Sequence, residues 1–139
     1  MRRRAWLRGC VLGLIHGLGL VTTVEAGHGQ PPVPLRWVSA PEVKALLERG
    51  PRPPIHLVDL RPAAAFRESH LPGARSIPLD DLRTRAREIP RGLIVLYCDC
   101  SAAEMENAYS LLWNLGWDDV RALTDGLGGW RGQGYPVVR

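Results

Sequence analysis

The stretch Leu93-Ile-Val-Leu-Tyr-Cys-Asp-Cys-Ser-Ala-Ala-Glu-Met105 decides how this chain folds. Its first five residues are apolar or aromatic, a run too short for a helix and rich in branched side chains, which predicts a strand buried on both faces. The run stops at Cys98, and a helical pattern begins seven residues later, at Met105. Cys98 is therefore expected at the carboxyl end of a buried parallel strand, where open α/β sheets place their chemistry.

This position suits a nucleophile. Backbone N–H groups of the turn, together with the positive end of the following helix, are expected to converge on the Cys98 sulfur and to favour the thiolate over the thiol. The competing interpretation is a structural cysteine buried in the core, which is common for this residue type. The motifs that flank the strand favour the first interpretation.

Length and composition indicate one globular domain. The chain has 139 residues, of which 45% are hydrophobic and 23% charged, values typical of a folded domain and not of a disordered chain. The formal charge of +4 hints at an anionic partner, but much of it lies at the extreme N-terminus.

Residues 1–26 have the pattern of a signal peptide. Four arginines precede the apolar residues 11–24, and Val24-Glu25-Ala26 offers small residues at the two positions that a signal peptidase reads. Arg3-Arg4-Ala5-Trp6-Leu7 resembles a twin-arginine signal, so export to the periplasm by either that or the general secretion route is expected. The alternative is an uncleaved N-terminal membrane anchor.

The mature chain would be nearly neutral. Without residues 1–26, which carry four Arg and one Glu, 14 basic and 13 acidic residues remain, a net charge of +1. Nothing in this balance supports binding to nucleic acid, or stable membrane insertion after cleavage. Only Cys98 and Cys100 remain, which is no disulfide framework for an exported domain. Two such thiols suggest a reactive function or a labile bond between them.

Residues 27–34 read as a linker because prolines and glycines dominate them, and residues 35–139 form the domain. Strand patterns alternate with helix patterns, which predicts an α/β fold with a mainly parallel sheet covered on both faces. The predicted strands cover residues 35–38, 55–60, 93–97 and 120–123. Five helices are predicted. The first lies between Ser39 and Gly50, the second covers residues 62–68, and the third covers residues 81–88 with Asp80 as its cap. The fourth runs from Met105 to Leu115, and the fifth is a short helix around Trp130.

Five motifs occur in an order and spacing that resemble a rhodanese-like domain over residues 36–139, in a Tyr-Cys-x-Cys variant. They are Val58-Asp-Leu-Arg61, His70-Leu-Pro-Gly-Ala74 followed by Ile77-Pro78, Tyr97-Cys98, Asp125-Gly126-Leu127 with Trp130, and Gly134-Tyr-Pro-Val137. The resemblance implies a five-stranded, mainly parallel sheet with helices on both faces. It also implies a sulfurtransferase that takes sulfane sulfur from a small donor and passes it to a small thiol or a protein thiol, with no cofactor.

The resemblance assigns roles to particular residues. The family's nucleophile, which carries sulfur as a persulfide, falls on Cys98, the residue that the strand-end argument also selects. The active-site loop continues through Asp99, Cys100, Ser101, Ala102, Ala103 and Glu104. The positions expected to hold the fold together are Asp59, Arg61, His70, Gly73, Gly126 and Trp130.

The loop departs from the family pattern in its charge. Where the usual loop ends in an arginine that helps to hold an anionic donor such as thiosulfate, this chain has Glu104, and Asp99 lies nearby. Negative charge raises the pKa of a neighbouring thiol and repels anions, so weak use of thiosulfate is expected. The related Cys-x5-Arg phosphatases are excluded because neither Cys98 nor Cys100 has an arginine at that distance.

The second departure is Cys100. It could resolve a persulfide, form a disulfide with Cys98, bind a soft ion with it, or simply fill space in the loop. A two-residue metal site is incomplete, so no metal is predicted. Two alternatives to a sulfurtransferase stay open: a non-catalytic rhodanese-like sulfur or metal carrier or partner-binding module, and a thiol-redox protein that uses both cysteines.

Overall fold

A computed structural model describes residues 31, 34–50 and 52–139. The predicted signal peptide, residues 1–26, lies outside the described residues, as does most of the predicted linker, residues 27–34. The predictions of export and of N-terminal anchoring therefore stay predictions. Among the described residues, the longest helix has 13 residues, and none is both long and apolar enough to cross a membrane.

Five strands form one sheet in the order β1-β5-β4-β2-β3, and every pairing between them is parallel. The predicted α/β fold is confirmed, and the sheet is wholly parallel. The strands are β1 (Arg36–Val38), β2 (Ile55–Asp59), β3 (Arg75–Ser76), β4 (Leu93–Tyr97) and β5 (Val120–Leu123).

Helices connect the strands and cover both faces of the sheet, because parallel neighbours need crossover connections. They are α1 (Ala40–Glu48), α2 (Ala63–Glu68), α3 (Leu82–Arg85), α4 (Ala102–Asn114) and α5 (Gly126–Gly132). Short 3₁₀ turns, Leu79–Asp81 and Ala86–Glu88, flank α3 on either side.

Strand β4 lies at the centre of the sheet, and all five of its residues are buried. Its alternate side chains point into different cores. Ile94 and Leu96 pack with α4 on one face, and Leu93, Val95 and Tyr97 pack with α1 and α5 on the other. A strand that is apolar on both faces is stable only between two such layers, which explains why the apolar run in the sequence has no polar alternation.

Two helix predictions needed correction. Helix α4 begins at Ala102 and not at Met105, because Ser101 caps it three residues earlier than the apolar spacing indicated. The helix expected over residues 81–88 is only the four-residue α3 between two 3₁₀ turns, and Asp80 lies inside the first turn instead of capping a helix. That turn is entered through Pro78, whose carbonyl accepts a hydrogen bond from the Asp81 N–H at 2.8 Å.

Gly126 allows α5 to begin directly against the end of β4. Its φ of 51° is in the left-handed region, and a Cβ atom there would lie 2.8 Å from the carbonyl oxygen of Cys98. Glycine is the residue that accepts both conditions. Gly128, in the same helix, has no positive φ, and its Cβ position has no atom within 4 Å.

We expect Gly126→Ala to destabilise the domain and to displace the Cys98 main chain. The left-handed conformation alone costs alanine about 1–2 kcal/mol, and the contact with the Cys98 carbonyl adds to that cost. Gly128→Ala is the matched control and should stabilise the helix by about 0.5–1 kcal/mol. Urea unfolding of both variants measures the difference, and equal effects at the two positions would contradict the close approach.

Candidate active site

A cleft of about 410 Å³ opens where β2 and β4 end. Its position agrees with the general rule that ligands of open α/β sheets bind beyond the carboxyl ends of the strands. Three segments line it, from the ends of β2 and β4 and from the turn before α3. The lining residues are Leu60, Arg61, Pro62, Ala63, Pro78, Leu79, Asp80, Asp81, Cys98, Asp99 and Cys100.

Main-chain hydrogen bonds hold these three segments together. The Leu60 N–H donates to the Tyr97 carbonyl at 2.9 Å, and the Leu79 N–H donates to the Leu60 carbonyl at 2.9 Å. Asp59 is the register partner of Tyr97. The residue after each strand therefore faces the same cleft, and the sheet places Cys98 beside residues that are about 20 to 40 positions away in the sequence.

The cysteine loop follows β4 directly. A disulfide joins Cys98 and Cys100, whose Cα atoms are 5.3 Å apart. Both cysteines are partly buried, and both line the cleft. Between them, the Asp99 side chain is 71% exposed. Of the open possibilities for Cys100, the structure therefore shows a bond to Cys98.

Ser101 and Glu104 close the loop with a reciprocal cap on α4. The Ser101 N–H donates to the Glu104 carboxylate at 2.8 Å, and the Glu104 N–H donates to Ser101 Oγ at 3.2 Å. Hydrogen bonds from the Ser101 main chain and hydroxyl lower the pKa of Glu104. The carboxylate is therefore kept ionised at the positive end of a helix, where charge of that sign is favourable.

This cap qualifies two predictions about the loop. Two of its amides, those of Ser101 and Glu104, serve the cap, which leaves those of residues 99, 100, 102 and 103 to approach the Cys98 sulfur. Convergence of these amides on the sulfur stays a prediction. Glu104 occupies the family's arginine position in the sequence, but it is not among the residues that line the cleft.

The acidic character of the cleft has a different origin. Among the described residues that line it, Asp80, Asp81 and Asp99 are acidic and Arg61 alone is basic. The Asp81 carboxylate also lies 3.8 Å from Nη1 of Arg85, which is outside the lining. Arg61 is itself only 6% exposed, and its charge is largely neutralised by the buried Asp59. An anion that enters the cleft therefore meets an excess of negative charge.

Arg61 joins four parts of the site. It forms a two-pronged ion pair with Asp59, Nη2 to Oδ2 at 2.6 Å and Nε to Oδ1 at 3.0 Å, and Asp59 is fully buried. Nη2 also donates to the Ser69 carbonyl at 2.7 Å. The guanidinium lies 5.7 Å from the centre of the Tyr97 ring, and Nη1 lies 3.9 Å from the Asp99 carboxylate. The hydrogen bonds to Asp59 raise the pKa of Arg61.

Three other predicted motif residues lie outside the cleft lining. His70 Nδ1–H donates to the Phe66 carbonyl at 2.9 Å, and its ring stacks on Phe66 at 3.8 Å. Its main chain bridges to Val138. Trp130 is buried, and its indole N–H donates to the Pro136 carbonyl at 2.8 Å. Gly73 has a φ of 77° in the turn before β3.

Tyr97 is tied to the turn that carries His70. Its side chain is fully buried, and its hydroxyl accepts a hydrogen bond from the Leu71 N–H at 3.2 Å. Burial raises the pKa of Tyr97, so the phenol stays neutral. Tyr97 therefore supports the end of β4 from the face opposite to α4 and contributes no charge to the cleft.

Sequence reasoning missed two features of the site. The Ser-x-x-Glu capping signature at Ser101 was present in the sequence and marks the start of α4, but the apolar period drew attention to Met105. Asp80 and Asp81 had no local signal, because their place in the cleft depends on the turn after β3. Among the described residues, no group of three or more His, Cys, Asp or Glu side chains is arranged to hold a metal ion.

Comparisons with known proteins agree with this architecture. The family model described as Rhodanese-like domain matches residues 39–133. The chain is 32% identical over 83 residues to a protein named Sulfurtransferase from Allochromatium vinosum, covering 59% of this chain and 77% of that protein. It is also 35% identical over 94 residues to the HTH-type transcriptional regulator Rv0324 of Mycobacterium tuberculosis, covering 66% of this chain but only 41% of the regulator.

Solved structures show the same fold. The crystal structure of the Alr3790 protein from Anabaena superposes with a TM-score of 0.64 at 28% identity, covering 73% of this chain and 81% of that one. A rhodanese-related protein from Thermoplasma volcanium superposes with a TM-score of 0.62 at 20% identity, covering 74% and 97%. At that lower identity the likeness concerns the fold alone.

We expect Asp59→Ala to lower the free energy of unfolding by roughly 3–5 kcal/mol, because it leaves the buried Arg61 charge without its partner. Glu48→Ala is the control, since it breaks an ion pair with Lys44 that is exposed and should cost less than about 1 kcal/mol. Urea unfolding measures both. Similar losses in the two variants would show that the Asp59–Arg61 pair is not a structural requirement.

Proposed function

Because the chain belongs to the rhodanese-like domain family, we propose that it is a sulfurtransferase in which Cys98 carries sulfur as a persulfide. One observation carries this proposal: Cys98 follows the central strand β4 and lines the cleft beyond the carboxyl ends of β2 and β4. The similarity to the Allochromatium sulfurtransferase supports it.

The reaction begins from the reduced cysteine. The Cys98 thiolate attacks the outer sulfur of a sulfane donor, a Cys98 Sγ–S bond forms, and the donor leaves with the electron pair of its broken S–S bond. An acceptor thiolate then attacks the outer sulfur, which yields an acceptor persulfide and restores the Cys98 thiolate. Splitting the transfer into two displacements is the advantage of covalent catalysis, and sulfur is the nucleophile suited to it.

Helix α4 supplies electrostatic assistance. It begins four residues after Cys98 and has 13 residues, so its N-terminus contributes a partial positive charge near the loop. The amides of residues 99, 100, 102 and 103 are the candidates for stabilising an anionic sulfur, as an oxyanion hole stabilises oxygen. The negative charges of Glu104 and Asp99 disfavour an anionic sulfur, so the stabilisation from the loop amides has to exceed their effect.

The charge of the cleft selects the donor. Three carboxylates against one paired guanidinium disfavour a divalent anion such as thiosulfate, and they favour donors and acceptors that are neutral or positively charged. We therefore expect low-molecular-weight persulfides without net negative charge, such as cysteamine persulfide, and protein persulfides to be better donors than thiosulfate.

Intact mass spectrometry of the reduced protein tests the persulfide. After anaerobic incubation with cysteamine persulfide, whose ammonium group balances the charge of its persulfide, and removal of the donor, the Cys100→Ser variant should be heavier by one sulfur atom, and peptide mapping should place that atom on Cys98. The Cys98→Ser variant should stay unmodified. A Cys98 that takes up no sulfur from any donor in the Cys100→Ser variant would remove the sulfurtransferase proposal.

Asp80→Asn tests the charge argument. Removing one exposed carboxylate from the cleft should lower the KM for thiosulfate roughly two- to fivefold, an effect of the size expected for a single surface charge. Asp118→Asn makes the same charge change outside the cleft lining and should leave that KM unchanged. If both variants respond equally, the net charge of the protein and not the cleft decides the use of thiosulfate.

A non-catalytic module is the second candidate, and the similarity to the mycobacterial regulator favours it. A rhodanese-like segment within a regulator is consistent with partner binding or with sensing of sulfur species. Complementation separates this candidate from catalysis: a Cys98→Ser chain that retains the phenotype of the wild type supports partner binding, because that variant has no nucleophile.

A further inference from the structure

The bond between Cys98 and Cys100 shows that the Cys100 sulfur reaches Cys98 Sγ. Their Cα atoms are 5.3 Å apart, inside the usual range for disulfides of roughly 4.4–6.8 Å. Both cysteines line the same cleft. Cys100 Sγ thus lies within bonding reach of Cys98 Sγ itself.

A persulfide on Cys98 offers two sulfur atoms to a nucleophile. The outer atom extends from Sγ toward the donor and acceptor, and the inner atom is Cys98 Sγ. Attack on the outer atom only moves sulfur to another thiol, whereas attack on the inner atom forms a disulfide and expels the outer atom as hydrosulfide. The contact in the structure is with the inner atom.

Resting on the proposed function, we propose that Cys100 is the resolving thiol of the Cys98 persulfide and that this domain releases its sulfur as sulfide. The Cys100 thiolate attacks Cys98 Sγ of the protonated persulfide, the Cys98 Sγ–Cys100 Sγ bond forms, and the bond from Cys98 Sγ to the outer sulfur breaks. The outer sulfur leaves as hydrosulfide with the electron pair of that bond, keeping its proton.

Two features of the site favour this step. The attacking thiol is held two residues from its target, so the reaction is intramolecular and needs no encounter with an acceptor. Hydrogen sulfide is a stronger acid than the cysteine thiol, so its anion, hydrosulfide, is the better leaving group in exchange at a disulfide sulfur. The carboxylates of Asp80, Asp81 and Asp99 also favour the departure of an anion from the cleft.

The product of the step is the disulfide present in the structure. In that state, Cys98 has no free thiolate and accepts no sulfur. A dithiol reductant, either a small molecule or a reductase, must exchange with the disulfide, which returns both thiols and leaves the reductant as its own disulfide. The net reaction consumes one sulfane sulfur and one dithiol, and it yields one sulfide and one disulfide.

The experiment follows sulfide and protein mass after reduced protein is mixed anaerobically with cysteamine persulfide. In the wild type we expect one sulfide per protein and a final mass two hydrogen atoms below that of the reduced chain. In Cys100→Ser and Cys100→Ala, the added sulfur should persist on Cys98 about tenfold longer or more, since the intramolecular attack is lost. Cys98→Ser measures the sulfide released without Cys98, donor in buffer measures what the donor releases by itself, and reduced protein without donor measures oxidation by other routes.

The outcomes separate this inference from the proposed function. If the Cys100 variants take up sulfur on Cys98 and the wild type keeps its persulfide equally long without releasing sulfide, the resolving role is wrong and the sulfurtransferase proposal stands. Sulfur that moves onto Cys100 without sulfide release also overturns the resolving role. If Cys98 takes up no sulfur from any donor in either Cys100 variant, the proposed function itself fails.

Discussion

The parallel pairing of β4 on both of its edges is the constraint on which the rest of the molecule depends. The main-chain groups of a central strand need a paired neighbour on each side, and here β2 and β5 both run parallel to β4. Parallel neighbours require crossover helices, and these cover both faces of the sheet with apolar layers. The carboxyl ends of the strands then meet at one edge, and Cys98 lies there because it follows β4.

The buried ion pair of Asp59 and Arg61 holds together the segments around the cleft at the carboxyl ends of the strands. Asp59 ends β2 beside Tyr97, and Arg61 extends from it to the Ser69 carbonyl and to within 3.9 Å of the Asp99 carboxylate. One guanidinium thus connects the sheet, the turn before β3 and the cysteine loop. Its positive charge is already balanced by Asp59, so it stabilises the geometry without making the cleft attractive to anions.

The loop illustrates how one substitution changes both architecture and chemistry. An arginine at the position of Glu104 would carry positive charge near the donor, whereas Glu104 pairs with Ser101 and caps α4. The helix gains a satisfied N-terminus, and the loop loses a cation. In the proposed resolving step, Cys100 attacks Cys98 Sγ and releases the sulfur that Cys98 already carries, so that step does not require an anionic donor to be held.

The sequence by itself determined the fold class, the central strand and the residue at its end, because hydrophobic periodicity, capping residues and glycine or proline breaks are local signals that a single chain displays. It predicted β5 to the residue and missed the start of α4, although the Ser101 cap was a local signal too. Only the tertiary structure decided that Asp80 and Asp81 share a cleft with Cys98. Residues distant in the chain become neighbours through strand register and turn geometry, which no local pattern encodes. The bond between Cys98 and Cys100 was also decided by the tertiary structure. The spacing of the two cysteines in the sequence permits several outcomes, and the path of the loop selects one of them.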